Sequence, residues 1–375
     1  MKIAMIGWEY PPFKVGGLGT HCYGLTNSLA DKGVIIDFYM PKTNQKVKST
    51  NKQIHIIEVG ESQVFPYDRP DDKILGGKFF ETVDRYNDLL IQKIKGKYDL
   101  IHGHDWLSMR AGIQLKEKLG IPLVFTIHST EYDRSGGLYP NSWLIEIEKE
   151  GMKKADRLIA VSEFTKKIIV EKYGISPDKI HVIHNAVCPL GAGKKQKIVL
   201  FLGRLTIQKG PEFFIQTAKR VLELEKDVKF VVAGCGDMLP RLIDQAVDIG
   251  ISNKVIFTGK LTDREVKHIY RVASVYVMPS VSEPFGITAL EAISAGTPTI
   301  VSKSSGVSEA FKNCFKVDFW DIDETANQII GLLRYTSLSQ TMVENGTQEI
   351  KLFTWDRTAE QTFSQYQSTI QHNFL

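Results

Sequence analysis

Apolar residues along this chain fall into short runs closed by glycine or polar positions. Lys2–Gly7 (KIAMIG) is almost wholly apolar, as expected of a strand buried on both faces of a parallel sheet. A loop rich in Pro and Gly follows (WEYPPFKVGGLG). Thr20–Lys32 then places Cys22, Leu25, Leu29 and Ala30 near helical spacing, with Gly33 as a stop. Val34–Met40 is a second apolar run, so the chain opens as a βαβ unit. Short strands are predicted again at Tyr98–His102, Pro122–Ile127, Arg157–Val161 and Lys179–Ile183. Helix-like spacing lies between them, as in Ser108–Leu119 and Ser162–Tyr173.

The pattern then restarts. Lys197–Gly203 (KIVLFLG) echoes KIAMIG and leads through RLTIQKG into a helix at Pro211–Glu225. Strands are predicted at Val228–Ala233, Val255–Phe257, Val275–Met278 and Thr299–Val301. Cys188–Lys197 (CPLGAGKKQK) has no periodicity and reads as a linker. The fold class expected is α/β: two doubly wound parallel-sheet (Rossmann-like) domains, 1–190 and 191–357, facing a central cleft. Residues 358–375 are expected to form a helix crossing back to the first domain. Ligands of such sheets bind at the carboxyl ends of the strands.

Composition narrows the class. The chain has 375 residues, 43% hydrophobic and 24% charged, which excludes disorder, collagen and coiled coil and fits two folded domains. A net charge of +4, spread over both halves, gives no reason to expect nucleic-acid binding. Cys22, Cys188, Cys235 and Cys314 form no CxxC pair, which argues against structural zinc and for free thiols in a reducing compartment. The N-terminus lacks a signal-peptide core, and no run reaches the ~20 apolar residues that span a bilayer. A soluble, cytoplasmic protein is expected.

Candidate chemistry sits in the loops after the predicted strands. Gly16-Gly17-Leu18-Gly19 could bring backbone N–H groups to a phosphate at a helix N-terminus, with Lys14 just before it. It could equally be a tight turn, and the dinucleotide fingerprint fails at Cys22. In His102-Gly103-His104-Asp105-Trp106, two histidines and an aspartate suggest a metal, but no third well-spaced ligand is evident. Hydrogen-bonded structural histidines, with Asp105 facing sugar hydroxyls, are the preferred reading. His128 follows the strand Pro122–Ile127 and could donate to a hydroxyl or a leaving oxygen, or simply cap a loop. Arg204 and Lys209, beyond the restarting strand, suit a diphosphate without a metal. Glu283 and Glu291 flank a predicted helix start at Gly286. Carboxylates and the N–H groups of Phe285, Gly286 and Ile287 could meet one ligand there. Asp321-Ile322-Asp323 reads as surface charge or a helix cap.

KVGGLG, HGHDW, TIHSTE, GRLTIQKG and EPFGITALE, in this order, resemble the retaining family-4 glycosyltransferases of the GT-B fold, most of all the glycogen and starch synthase branch. The resemblance spans Lys2 to about Gly306. It implies that Gly16, Gly17, Arg204 and Lys209 hold the donor diphosphate, with Lys14 near it. It implies that Glu291 binds the ribose, and that Glu283 with the N–H groups of Phe285, Gly286 and Ile287 binds the transferred sugar. His128 and Asp105 would complete the sugar site. The donor implied is ADP-glucose or UDP-glucose, the acceptor a glucan or oligosaccharide, and no metal is implied. The chain is shorter than typical glycogen synthases. Position 291 is Glu where those often carry Tyr, and position 285 is Phe where they often carry Cys.

Other readings remain. A hexosyltransferase for a lipid or small-glycoside acceptor would use Lys153, Lys154, Arg157, Lys166 and Lys167 as a membrane-facing surface. A solvated face interspersed with Glu148, Glu150 and Glu163 is preferred. A sugar-nucleotide epimerase would share the cleft. The acceptor is expected to be set by loops such as Thr43–Asp72.

Overall fold

The computed structural model describes residues 1–13, 16–43, 47–60 and 78–373. The chain divides into two compact units. Unit 1 holds Met1–Glu131, Tyr139–Ala186 and the chain from Trp355 on; unit 2 holds Tyr132–Leu138 and Val187–Thr354.

Unit 1 is built on seven strands: β1 (Lys2–Ile6), β2 (Ile35–Pro41), β3 (Ile54–Val59), β4 (Leu100–His104), β5 (Leu123–Ile127), β6 (Arg157–Ala160) and β7 (Ile180–Val182). They are parallel, in the order β3-β2-β1-β4-β5-β6-β7. Unit 2 repeats the plan with β8 (Ile198–Leu202), β9 (Lys229–Ala233), β10 (Val255–Gly259), β11 (Val275–Met278), β12 (Thr299–Ser302) and β13 (Phe315–Val317). Its order is β10-β9-β8-β11-β12-β13, again parallel. Each sheet reverses direction of growth once, between β1 and β4 and between β8 and β11. The loops leaving those paired strands are where a doubly wound sheet opens a crevice for ligands.

The apolar runs form strands because helices cover both faces of each sheet. Ile3, Met5, Ile36, Phe38, Leu100 and Val124 are buried in unit 1. Val199, Phe201, Phe230, Val232, Val275 and Val277 are buried in unit 2. Each such side chain contributes about 1.5–3 kcal/mol on burial. The helix Trp355–Asn373 packs on the helix Gly17–Asp31 of unit 1. A Cβ on Gly24 would stand 2.2 Å from the Trp355 ring, so glycine is what lets the two helices approach.

Several expectations change. Part of Thr43–Asp72, expected as loop, is strand β3, while 44–46 and 61–72 lie outside the described residues. Cys188–Lys197 is not a loose linker. Arg271 donates to the carbonyls of Leu190 and Gly191, and Lys195 Nζ donates to Arg271 O, Ala295 O and Thr297 Oγ1. Glu148 is not on a solvated face: it is buried, accepting from Tyr173 Oη and the Glu131 N–H. Asp321 caps the helix Ile322–Arg334 through the Glu324 N–H, and Asp323 pairs with Arg220. No helix among the described residues is long and apolar enough to cross a membrane.

Candidate functional site

Unit 2 gathers its candidates on the two loops at its switch point. After β8, the chain passes Arg204 and a short turn, Ile207–Lys209, into the helix Pro211–Leu224. After β11 it passes Glu283 into the helix Ile287–Ser294. Backbone stitches the two loops together. The Val281 N–H donates to Gln208 O at 2.9 Å, and Gly210, at φ 60°, leaves no room for a Cβ, which would lie 2.2 Å from Pro279 O. That close approach brings Lys209 Nζ to Glu283 Oε2 at 2.5 Å, with both side chains mostly buried. Ser280 Oγ donates to the same oxygen at 3.2 Å. Arg204 is half-buried and donates to Gln208 Oε1 at 3.3 Å.

Glu291 is the fifth residue of the helix Ile287–Ser294 and accepts from Tyr270 Oη at 3.2 Å. Gly286 caps that helix at φ 106°, a conformation glycine adopts without strain; a Cβ there would press on Met278 Cε at 2.9 Å. The Phe285 side chain turns inward and packs near Phe353, so the backbone is what this residue can offer a ligand. Gln208 and Tyr270 were not legible in the sequence. Neither stands in a recognisable motif role, and both act by orienting a charged neighbour.

Unit 1 has a different chemistry. Gly16 and Gly17 are exposed at the start of the helix Gly17–Asp31, and the Gly16 N–H donates to Glu9 Oε2 at 3.3 Å. Lys14 lies outside the described residues. Asp105, just after β4, sits at φ 54° and ψ −179°, a backbone state that costs about 1–3 kcal/mol in a non-glycine residue. Its Oδ1 accepts the N–H groups of His128 at 2.6 Å and Ser129 at 3.3 Å. Asp105 therefore holds the turn that carries His128.

Four imidazoles stand together there. His102 and His104 both lie on β4, with rings 4.4 Å apart. His102 is satisfied at both nitrogens, by Tyr366 Oη at 2.6 Å and Thr126 Oγ1 at 2.8 Å, as expected of a structural histidine. His104 departs from that expectation. Its Nδ1 meets His128 Nε2 at 3.0 Å, while its Nε2 is buried with no hydrogen-bond partner among the described residues. The fourth is His21, from the helix Gly17–Asp31, whose Nδ1 meets Asn185 Oδ1 at 2.7 Å. His21 changes the expectation that no third well-spaced ligand accompanies HGHDW: further imidazoles, His21 and His128, come from elsewhere in the chain. Burial lowers the pKa of His21 to about 4 and of His102 to about 3. Burial, reinforced by the neighbouring imidazoles, holds His104 and His128 well below the usual histidine range. All four are neutral at pH 7.

Comparison with known proteins gives a family for this arrangement. Residues 15–189 match Glycosyltransferase Family 4, and residues 188–349 match Glycosyl transferases group 1. An uncharacterized glycosyltransferase of Methanocaldococcus jannaschii is 33% identical, over 98% of this chain and 98% of its own. A glycogen synthase of Mycobacterium tuberculosis is 29% identical, over 84% of this chain and 80% of its own. Among solved structures, the sucrose-phosphate synthase of Thermosynechococcus elongatus superposes with a TM-score of 0.82 at 22% identity, covering 98% of both chains. Two Rossmann-like units, the match of both halves to glycosyltransferase families and a full-length relative lead to one assignment: the chain belongs to the group 1, family 4 glycosyltransferases of the GT-B fold.

Proposed function

We propose that the protein is a retaining, metal-independent hexosyltransferase. It would move glucose from a nucleotide-diphosphate sugar, ADP-glucose or UDP-glucose, to a glucan or oligosaccharide acceptor. The observation that carries this reading is the pairing of Lys209 with Glu283, beside Arg204, at the switch point of unit 2.

As the bond from sugar to nucleotide lengthens, positive charge develops on the sugar and negative charge on the departing diphosphate. Arg204 offers a planar donor fork and Lys209 a point charge, both fixed before the reaction begins. The two cations would bring positive charge to the diphosphate, with Glu283 balancing part of the charge on Lys209. Glu291, braced by Tyr270, is suited to the two ribose hydroxyls, one on each carboxylate oxygen. Glu283 and the backbone of Phe285, Gly286 and Ile287 are assigned to the transferred sugar. Gly16 and Gly17 are assigned to the donor phosphates. His128, held by Asp105, is assigned to a sugar hydroxyl. With no nucleophile assigned, retention follows if the acceptor attacks on the face the diphosphate leaves and a diphosphate oxygen takes its proton. The likeness to a glycogen synthase supports a glucan acceptor.

The deciding experiment screens sugar nucleotides for binding and slow hydrolysis, then repeats with glycogen and short maltooligosaccharides. ADP-glucose or UDP-glucose should bind, and transfer should appear with the glucans. Transfer only to a lipid or small glycoside would replace the acceptor, and free nucleotide with an epimerised sugar would replace the reaction.

A further inference from the structure

We propose that His21, His104 and His128 form a binding site for one borderline-soft transition-metal ion, Zn2+ or Co2+, in unit 1. One imidazole nitrogen from each ring falls within 4.8 Å of the other two. His104 Nδ1 and His128 Nε2 meet at 3.0 Å through one N–H; with that proton moved to the donor ring's other nitrogen, their separation is close to the about 3.3 Å between two nitrogens on a tetrahedral zinc with bonds of about 2.0–2.1 Å. The third ring has to move inward to complete the set.

The surroundings prepare these rings as ligands. Asn185 Oδ1 accepts from His21 Nδ1, which fixes the proton there and leaves Nε2 as a bare lone pair. That Nε2 and His104 Nε2 are both buried without a hydrogen-bond partner among the described residues. His21 and His104 are 2% and 1% exposed, so bulk water does not reach them freely. A buried nitrogen without a partner is costly, and an ion bound to His21 Nε2 would remove that cost there. The Asp105 carboxylate, held against the His128 and Ser129 N–H groups, supplies a nearby counter-charge. Three imidazoles favour Zn2+, Co2+, Ni2+ or Cu2+ over Mg2+ or Ca2+. A bound ion would occupy His128, so it should inhibit transfer; that consequence rests on the proposed function, and the binding does not.

The test is a titration of the full chain with Co2+, followed by visible absorption. One equivalent should give the intense bands of a four-coordinate ion with no sulfur-to-cobalt charge transfer, and one equivalent of Zn2+ should bleach them. His21→Gln and His104→Gln should each abolish the bands. Asn185→Ala leaves all three rings in place and should weaken binding by about 10–100-fold, as loss of an outer-shell partner does. No stoichiometric binding to the wild type overturns the proposal, whatever the variants do. So does a spectrum with sulfur ligation, or one that survives in either histidine variant.

Discussion

The two units repeat one sheet order but fill their switch points with opposite chemistry. Unit 2 presents fixed charge: Lys209 on Glu283, Arg204 beside them, Glu291 one helix turn further on. Unit 1 presents neutral imidazoles clustered at the ends of β4 and β5, with the charge withdrawn into Asp105, which holds backbone. Charge that is fixed in place and only partly covered, as on Arg204 and Lys209, is suited to a diphosphate. Imidazoles that are buried and neutral can donate to or accept from hydroxyls, but cannot balance a dianion. One topology thus supports an electrostatic site and a hydrogen-bonding site, and the loops decide which.

Variants can break that contrast. Arg204→Ala and Lys209→Ala should each lower kcat about 10²–10³-fold, the usual cost of removing one preorganised donor to a developing anion. Circular dichroism should show the fold retained; wild-type rates would remove unit 2 from anion stabilisation. The next effect belongs to unit 1 and appears in stability. His21 and His102 are neutral when folded, with pKa about 4 and about 3, and recover ordinary values near 6.5 when unfolded. The unfolded chain therefore binds more protons as pH falls. Stability is full above about pH 6.5 and falls toward pH 4 by on the order of a few kcal/mol. Denaturant titrations at pH 7.5, 6 and 5 should show the loss, and His102→Gln should flatten it. A slope unchanged by that variant would mean other groups carry it.

Two smaller effects sharpen the division. Glu291→Ala removes charge-assisted hydrogen bonds worth about 1.5–3 kcal/mol and should weaken donor binding by about 10–100-fold. Calorimetry with the nucleotide alone reads it directly; unchanged affinity removes Glu291 from the ribose. Tyr270→Phe removes only the brace on Glu291, a neutral-to-carboxylate hydrogen bond at 3.2 Å, and should raise the donor KM by a few-fold with kcat nearly unchanged. A drop in kcat instead would tie Glu291 to the transfer step.

Much of the fold was legible because a doubly wound sheet writes its strands as apolar runs. KIAMIG and KIVLFLG became β1 and β8, and PSVSEPFGITALEA became a loop and a helix with Glu291 at its fifth position. Strand β3 was not legible. Its sequence, IHIIEV, carries His55 and Glu58 on a lateral strand with exposed and half-buried positions, so it lacks the continuous apolar run of a central strand. Glu148 was misplaced because helical spacing does not say which carboxylate a buried tyrosine and a backbone N–H will claim.

What the sequence by itself determined is local: apolar runs, glycine turns, and the residue types that follow each strand. Those properties depend on neighbours along the chain. Only the tertiary structure decided which residues meet across it. Lys209 meets Glu283, 74 positions away, because Gly210 lets one loop pass close against Pro279. His21 meets His104 and His128 because β1, β4 and β5 lie side by side and the helix after β1 returns over them. Parallel strands require long crossovers, so the residues that share a site in this fold are far apart in sequence.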